Sequence, residues 1–356
     1  MRFASSQSAD SFWTQSKDAK RLMVLDLGFL GDTVHLIPAL WAIRQAWPKA
    51  ELHVMVAEHI KSLMQVTPWV DQVWGYPRFP KGPKPWQDFG RVKALRQAKF
   101  DAVINLNGSD RSSWLTFLSG ARWRLGRRPL DGGGWGWGRL FTHVVEVPFK
   151  TEPVYWQRWR CVAATGAPVG KEPVFNVSIN PSARRLAGIA EGDDGRYIHL
   201  SPFTTADRRE LPLPQLVELM TALNERFPEL KWVVSAAPNE RERAKLEDLL
   251  KRLPFTPWKV FAGNLDLMGL VSVLGGARLH LGGDSGGIHL AVMANTPTVS
   301  WFRLSESVKE WAPHGKTSRV IVSPAPEEHC LCGIDIELLI EAVNELAGLK
   351  AMDMSV

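Results

Sequence analysis

Several classes of protein leave marks that this chain lacks. Cysteine is scarce: Cys161, Cys330 and Cys332 are the only three in 356 residues. Three thiols cannot form a disulfide framework, and an odd number suits a reducing compartment. Cys330 and Cys332 stand as C-x-C with no metal-ligand spacing around them, so all three read as structural or incidental thiols. The first twenty residues hold no apolar run of the kind a secretory signal needs. The stretch 285–302 is uncharged and about as long as a membrane span, yet its His289, Asn295 and Pro297 argue for a buried helix followed by a strand. A soluble, cytoplasmic protein resting on a membrane surface is expected.

What is present is the composition of a folded chain. Hydrophobic residues make up 45% and charged residues 22%, which excludes disorder, and the length suits two domains. Residues 1–180 carry 24 Lys and Arg against 14 Asp and Glu, whereas residues 181–356 carry 19 against 23. A basic half beside an acidic half implies an anionic partner for the first: nucleic acid, anionic lipid or phosphorylated glycan. Sixteen tryptophans offer faces for stacking on sugars or bulk for cores.

A buried strand is predicted at 21–27, a turn at 28–32, a helix from about 33 to 47 ended by Pro48, and a second strand at 51–56. Together they make a βαβ unit and so imply a parallel sheet. A helix at 89–98 and a strand at 101–106 continue the pattern beyond a Pro-rich loop at 76–86. Five glycines in 132–138 exclude regular structure, and Trp135 and Trp137 there either grip a ligand or pack back on the domain. A polar stretch at 191–195 reads as an interdomain connection. Strands follow at 197–200, 232–235, 259–261, 278–281 and 298–302, alternating with helices at 214–227, 240–250, 267–275 and 288–294 before a last helix at 336–348. The expected division is a flexible tail at 1–20, a doubly wound domain at 21–178 and another at 179–356.

Three loops carry candidate chemistry. Gly28-x-x-Gly31-Asp32 joins a strand to a helix but is not the dinucleotide fingerprint, which needs a third glycine. Asp32 is either a helix-capping carboxylate or a general base. Thr204, Thr205, Arg208 and Arg209 follow a strand, where hydroxyls and guanidinium groups suit a diphosphate or simply cap a helix. Gly282-Gly283-Asp284-Ser285-Gly286-Gly287 precedes a helix carrying His289. It fits a nucleophile elbow with late partners among His314, His329 and Asp335, or a loop of glycine amides that bind phosphate.

In this order and spacing the segments resemble the family 9 glycosyltransferases, the ADP-heptose:lipopolysaccharide heptosyltransferases. The marks are the opening strand followed by Gly31-Asp32 and Ile37-Pro38-Ala39-Leu40, then 284–291 (DSGGIHLA), then Thr296-Pro297-Thr298-Val299. The resemblance covers about 21–346. It implies the GT-B fold, two Rossmann-like α/β domains, with the acceptor on the N-terminal one and the nucleotide sugar on the C-terminal one. It also implies inverting transfer that needs no metal or other cofactor, in keeping with the absence of any Asp-x-Asp pair. By the same resemblance Asp32 is the general base, and Thr204, Thr205 and Arg209 hold the diphosphate. Glu240 holds the ribose and Leu265 lies by the adenine. Asp284, the amides of Ser285, Gly286 and Gly287, and His289 complete the donor site. The acceptor is expected to be the anionic inner core of lipopolysaccharide at the inner membrane surface, near Gly31 and the basic run containing Arg124, Arg127 and Arg128. The chain departs from the family in Asp26, where a basic residue is usual, in Arg209, where close relatives carry lysine, and in the run Arg303–Ser307. Transfer from another nucleotide sugar, transfer to a protein serine, and a catalytically silent sugar-nucleotide-binding protein are the alternatives. No nucleic-acid-binding motif occurs.

Overall fold

The computed structural model describes residues 7–78, 82–134, 136–305, 307–324 and 331–347. Part of the Pro-rich loop, Trp135, His329 and Cys330 therefore lie outside the described residues. The chain divides into two compact units, Met1–Ser178 and Ile179–Val356.

The first unit is built on seven strands: β1 (Gln7–Ser8), β2 (Arg21–Leu25), β3 (Glu51–Ala57), β4 (Gln72–Tyr76), β5 (Ala102–Asn105), β6 (Trp123–Arg127) and β7 (His143–Val145). They lie in the order β1-β7-β6-β5-β2-β3-β4, every pair parallel. Six strands build the second: β8 (Tyr197–Ser201), β9 (Lys231–Ala236), β10 (Lys259–Ala262), β11 (Leu279–Gly283), β12 (Thr298–Phe302) and β13 (Ser318–Val322). Their order is β10-β9-β8-β11-β12-β13, again wholly parallel. With β1 set aside, each sheet winds outward from its first strand to one edge, then returns and winds to the other. The reversals fall between β2 and β5 and between β8 and β11, where the loops at the carboxyl ends of the strands leave a ligand crevice.

Helices cover both faces, so the central strands are buried throughout: β8 and β11 are buried at every position, His199 and His280 included. The helix Leu30–Ala46 follows β2 and keeps Pro38 in its interior. It packs along the helix Val154–Ala163.

Two expectations fail. Residues 7–20 are folded, not a flexible tail: β1 pairs with β7, and the helix Phe12–Ser16 buries Phe12 against the rings of Trp47 and His143. One aromatic with a prepared cavity anchors an otherwise polar segment. The polar stretch at 191–195 is not an interdomain connection. It belongs to the second unit, with Asp193 on Lys231 and Asp194 on Arg184. Cys161 is a free, buried thiol, whereas Cys332 is disulfide-bonded. Among the described residues no helix is long and apolar enough to cross a membrane.

Candidate active site

At the carboxyl edge of the first sheet, the helix begins at Leu30, three residues earlier than expected, so Gly31 and Asp32 lie inside its first turn. Asp32 reaches back, and its Oδ2 accepts a hydrogen bond from the Phe29 amide at 2.9 Å. Gly28 makes room for that carboxylate, since a Cβ there would stand 2.2 Å from Asp32 Cβ. Asp26, just beyond β2, is fully buried and accepts from the Gly28 amide at 2.9 Å. Arg158 Nη2 lies 2.7 Å from Asp26 Oδ2 and 3.0 Å from Asp32 Oδ1, while Nη1 donates to the Asp32 carbonyl oxygen. Burial pushes the Asp26 carboxyl up to about 6 against the pull of Arg158. Asp32 keeps 24% of its side chain exposed.

Arg158 was missed in the sequence. Its signal was a place on the buried stripe of its helix with Val154, Cys161 and Val162, where a guanidinium needs a carboxylate partner. The cation paired with Asp26 comes from the helix Val154–Ala163.

Beside this edge lies a cavity of about 610 Å³ lined by Leu27, Tyr76, Arg78, Asn107, Ser109 and Arg111. Arg78 stacks over Phe29 at 4.5 Å, and Arg111 donates to the Tyr76 hydroxyl at 2.8 Å. The basic run expected here is instead strand β6 and its exit. Arg127 is buried, stacked 3.7 Å over Phe149 and bonded to Gln157 Oε1 at 2.6 Å. Arg124 is spent on the carbonyls of Ala121 and Leu140. Arg128 pairs with Glu146 at the surface. An alternating strand sends its arginines to opposite faces, so the run makes no single basic patch. Trp137 packs back on the domain, its Nε1 donating to Ser113 Oγ at 3.0 Å.

In the second unit, four loops at one sheet edge carry the expected donor residues. Thr204 follows β8 and turns inward: its hydroxyl donates to the Ala206 carbonyl at 2.9 Å, and its amide to Glu210 Oε1 at 2.9 Å. Thr205 is exposed. Arg209 Nη1 lies 3.1 Å from Asp284 Oδ2, joining the β8 and β11 loops. Burial raises the Asp284 carboxyl, opposed by Arg209 and Arg303. Gly283 allows the close approach, because a Cβ would meet the Arg209 carbonyl at 2.8 Å. Ser285 occupies the N-cap of the helix Gly286–Met293 without a side-chain capping bond, leaving the first-turn amides of Gly286 and Gly287 without a serine oxygen over them. Among the described residues no histidine bonds the Ser285 hydroxyl, and His329 lies outside them. His289 is buried, its ring 5.5 Å from Trp311. Glu240 opens the helix after β9 and is exposed, while half-buried Leu265 follows β10 and packs against the cluster around Tyr197 and Phe261.

Two doubly wound parallel sheets in series, each with its polar loops at the carboxyl edge, are the architecture of the GT-B glycosyltransferases. The chain belongs to glycosyltransferase family 9 (heptosyltransferase), whose profile matches residues 90–338. Among its relatives is lipopolysaccharide heptosyltransferase 3 of Escherichia coli, 21% identical over 295 residues, spanning 80% of this chain and 84% of that one. Lipopolysaccharide heptosyltransferase 1 of Pseudomonas aeruginosa is 26% identical over 303 residues, 79% and 78% of the two chains. The fold is shared with a family 9 glycosyltransferase from Veillonella parvula, at a TM-score of 0.78, 18% identity and coverage of 92% and 97%. It is shared also with the E. coli heptosyltransferase WaaC solved with ADP, at 0.70, 19% identity and coverage of 93% and 99%.

Proposed function

We propose that this enzyme transfers heptose from ADP-heptose to a hydroxyl of the lipopolysaccharide inner core, with inversion and without a metal ion. The observation that carries the reading is the half-open carboxylate of Asp32, oriented through both oxygens at the carboxyl edge of the first sheet. Asp32 takes the proton of the acceptor hydroxyl as that oxygen bonds to the anomeric carbon. The bond from that carbon to the diphosphate breaks, and ADP leaves with the electron pair. Thr205, Arg209 and the Ser285–Gly287 amides stabilise the charge that develops on it. Arg209 is held ready by Asp284 and exchanges part of that contact for phosphate. Thr204 shapes the loop through its turn, Glu240 takes the ribose hydroxyls, and Leu265 packs by the adenine. His289 supports the helix from behind against Trp311.

The +10 surplus of the first 180 residues suits an anionic glycolipid, and Arg78 and Arg111 at the 610 Å³ cavity take over the acceptor role expected of Arg124, Arg127 and Arg128. Arg111 also lines a neighbouring groove with Trp86, Phe89, Trp114 and Arg96, and the three aromatics are 68%, 77% and 51% exposed. Exposed aromatic rings, with Arg96 and Arg111 set beside Asp88 and Asp110 in the same groove, suit a membrane interface. Replacing all three rings with alanine should release the protein from anionic vesicles, and unchanged sedimentation would dismiss that face.

The test of the donor is a panel of nucleotide sugars. ADP-heptose should raise the melting temperature by mass action and be consumed when a heptose-free inner-core glycolipid is added. Stabilisation by a different nucleotide sugar, with ADP-heptose inert, would overturn the donor.

A further inference from the structure

One guanidinium serves two carboxylates at the edge of the first sheet. Arg158 Nη2 is 2.7 Å from Asp26 Oδ2 and 3.0 Å from Asp32 Oδ1, and its side chain is only 4% exposed. The three residues come from three places: the end of β2, the first turn of the helix Leu30–Ala46, and the helix Val154–Ala163. Asp26 faces Arg158, Asp32, the Gly28 amide and the Asn107 side chain, and its own amide donates to Met55 on β3. Cys161, on the same helix as Arg158, is a neutral thiol because burial pushes it up to about 11, and Arg127 and Glu152 are the other charged groups around it.

A cation held against a base lowers the base's affinity for a proton. A lone Arg158 on Asp32 would fix the carboxylate at the expense of its basicity. A second carboxylate on the same cation offsets that loss.

We infer that Asp26 and Arg158 are a positioning pair for Asp32: Arg158 fixes the carboxylate through Oδ1, and ionised Asp26 shares the guanidinium charge so that Asp32 stays basic enough to take the acceptor proton. The inference rests on Asp32 being the general base. Neither Asp26 nor Arg158 takes the proton or touches either substrate in this role, and the proton moves only from the acceptor hydroxyl to Asp32. Because burial raises Asp26 to about 6, mild acid protonates it, returns the whole guanidinium charge to Asp32 and slows transfer.

The experiment is the pH profile of kcat, with donor KM, for Asp26→Asn, Arg158→Lys and the double variant Asp26→Asn/Arg158→Gln, beside Asp32→Asn. In Asp26→Asn the full charge of Arg158 falls on Asp32. Its kcat should drop by about tenfold and the acid limb should move to lower pH, with donor KM unchanged. The double variant buries no unpaired charge, so its folding is preserved. It frees Asp32 from any cation, and its acid limb should move the opposite way while kcat drops through lost orientation. Arg158→Lys keeps a cation and should retain more activity than the double variant. If Asp26→Asn and the double variant both keep wild-type kcat and an unmoved limb while Asp32→Asn is inactive, the pairing is overturned and the base stands. Full activity in Asp32→Asn would overturn the base itself.

Discussion

The two units share one strand order and use it for opposite electrostatics. In the first, the loop after the opening strand closes over a buried carboxylate, a buried arginine and a half-open carboxylate, tied by two ion pairs and by the Gly28 and Phe29 amides. In the second, the corresponding loops meet through a partly exposed Arg209–Asp284 pair and a run of glycines, and the helix after them starts without a side-chain capping bond. Proton transfer needs one group held at a defined basicity, which packing and paired charge supply. A diphosphate needs many weak donors that can follow its oxygens, which amides and mobile guanidinium groups supply. Topology sets where a site is, and the side chains in the loops decide which chemistry it performs.

The comparison breaks most visibly at Arg209. Arg209→Ala should lower kcat by about 10²-fold with a much smaller change in donor affinity, because charge on the diphosphate grows as the bond breaks. Ser285→Ala should stay within a few-fold, since the amides remain. An equal loss in both variants would place the chemistry of the second edge in side chains, and the contrast between the units would fall.

A smaller effect separates the acceptor contacts. Arg78→Ala with Arg111→Ala should raise acceptor KM by about tenfold and flatten its dependence on salt, as expected when exposed ionic contacts are removed. Donor KM should not move. Arg128→Ala, which removes a surface pair with Glu146 and a long bond to the Gly132 carbonyl, should leave both constants alone. Acceptor salt dependence that survives the Arg78/Arg111 variant would send the anion site elsewhere in the first unit.

The smallest effect is on stability. Asp26 is raised to about 6 in the folded protein from an ordinary 3.8, so the folded chain binds this proton more tightly than the unfolded one. Its charged form therefore costs stability above pH 6, and that cost is relieved as pH falls from 6 towards 4. Wild type should gain a few degrees in melting temperature over Asp26→Asn between pH 7 and pH 4.5. A constant difference across that range would mean that Asp26 is not raised.

Most of the fold was legible because the alternation of apolar runs with helical segments repeats in both halves. The helix at 89–98 and the strand at 298–302 were read to the residue, and the others mostly to within one or two. The losses have physical causes. Strands β6 and β7 and the helix Val154–Ala163 carry charged or polar residues whose partners lie far along the chain. Arg127 finds Phe149 and Gln157, and Arg158 finds Asp26 and Asp32 across more than a hundred residues. An arginine in such a place reads as surface until its partner is known. The tail was misread for the same reason, since nothing near Phe12 in sequence announces the cavity that takes it. At the second edge the glycine run and the Thr-Thr-x-x-x-Arg spacing were visible as local motifs, whereas the Arg209–Asp284 pair that joins two loops was not.

The most direct measurement is calorimetric titration of ADP-heptose into wild type and Asp32→Asn, beside their transfer rates. Division of labour between the two edges predicts a donor Kd within about twofold in the two proteins and a transfer rate lower by ~10²–10⁴-fold in the variant. Donor affinity that falls in step with the rate, or transfer that persists without the carboxylate, would contradict it.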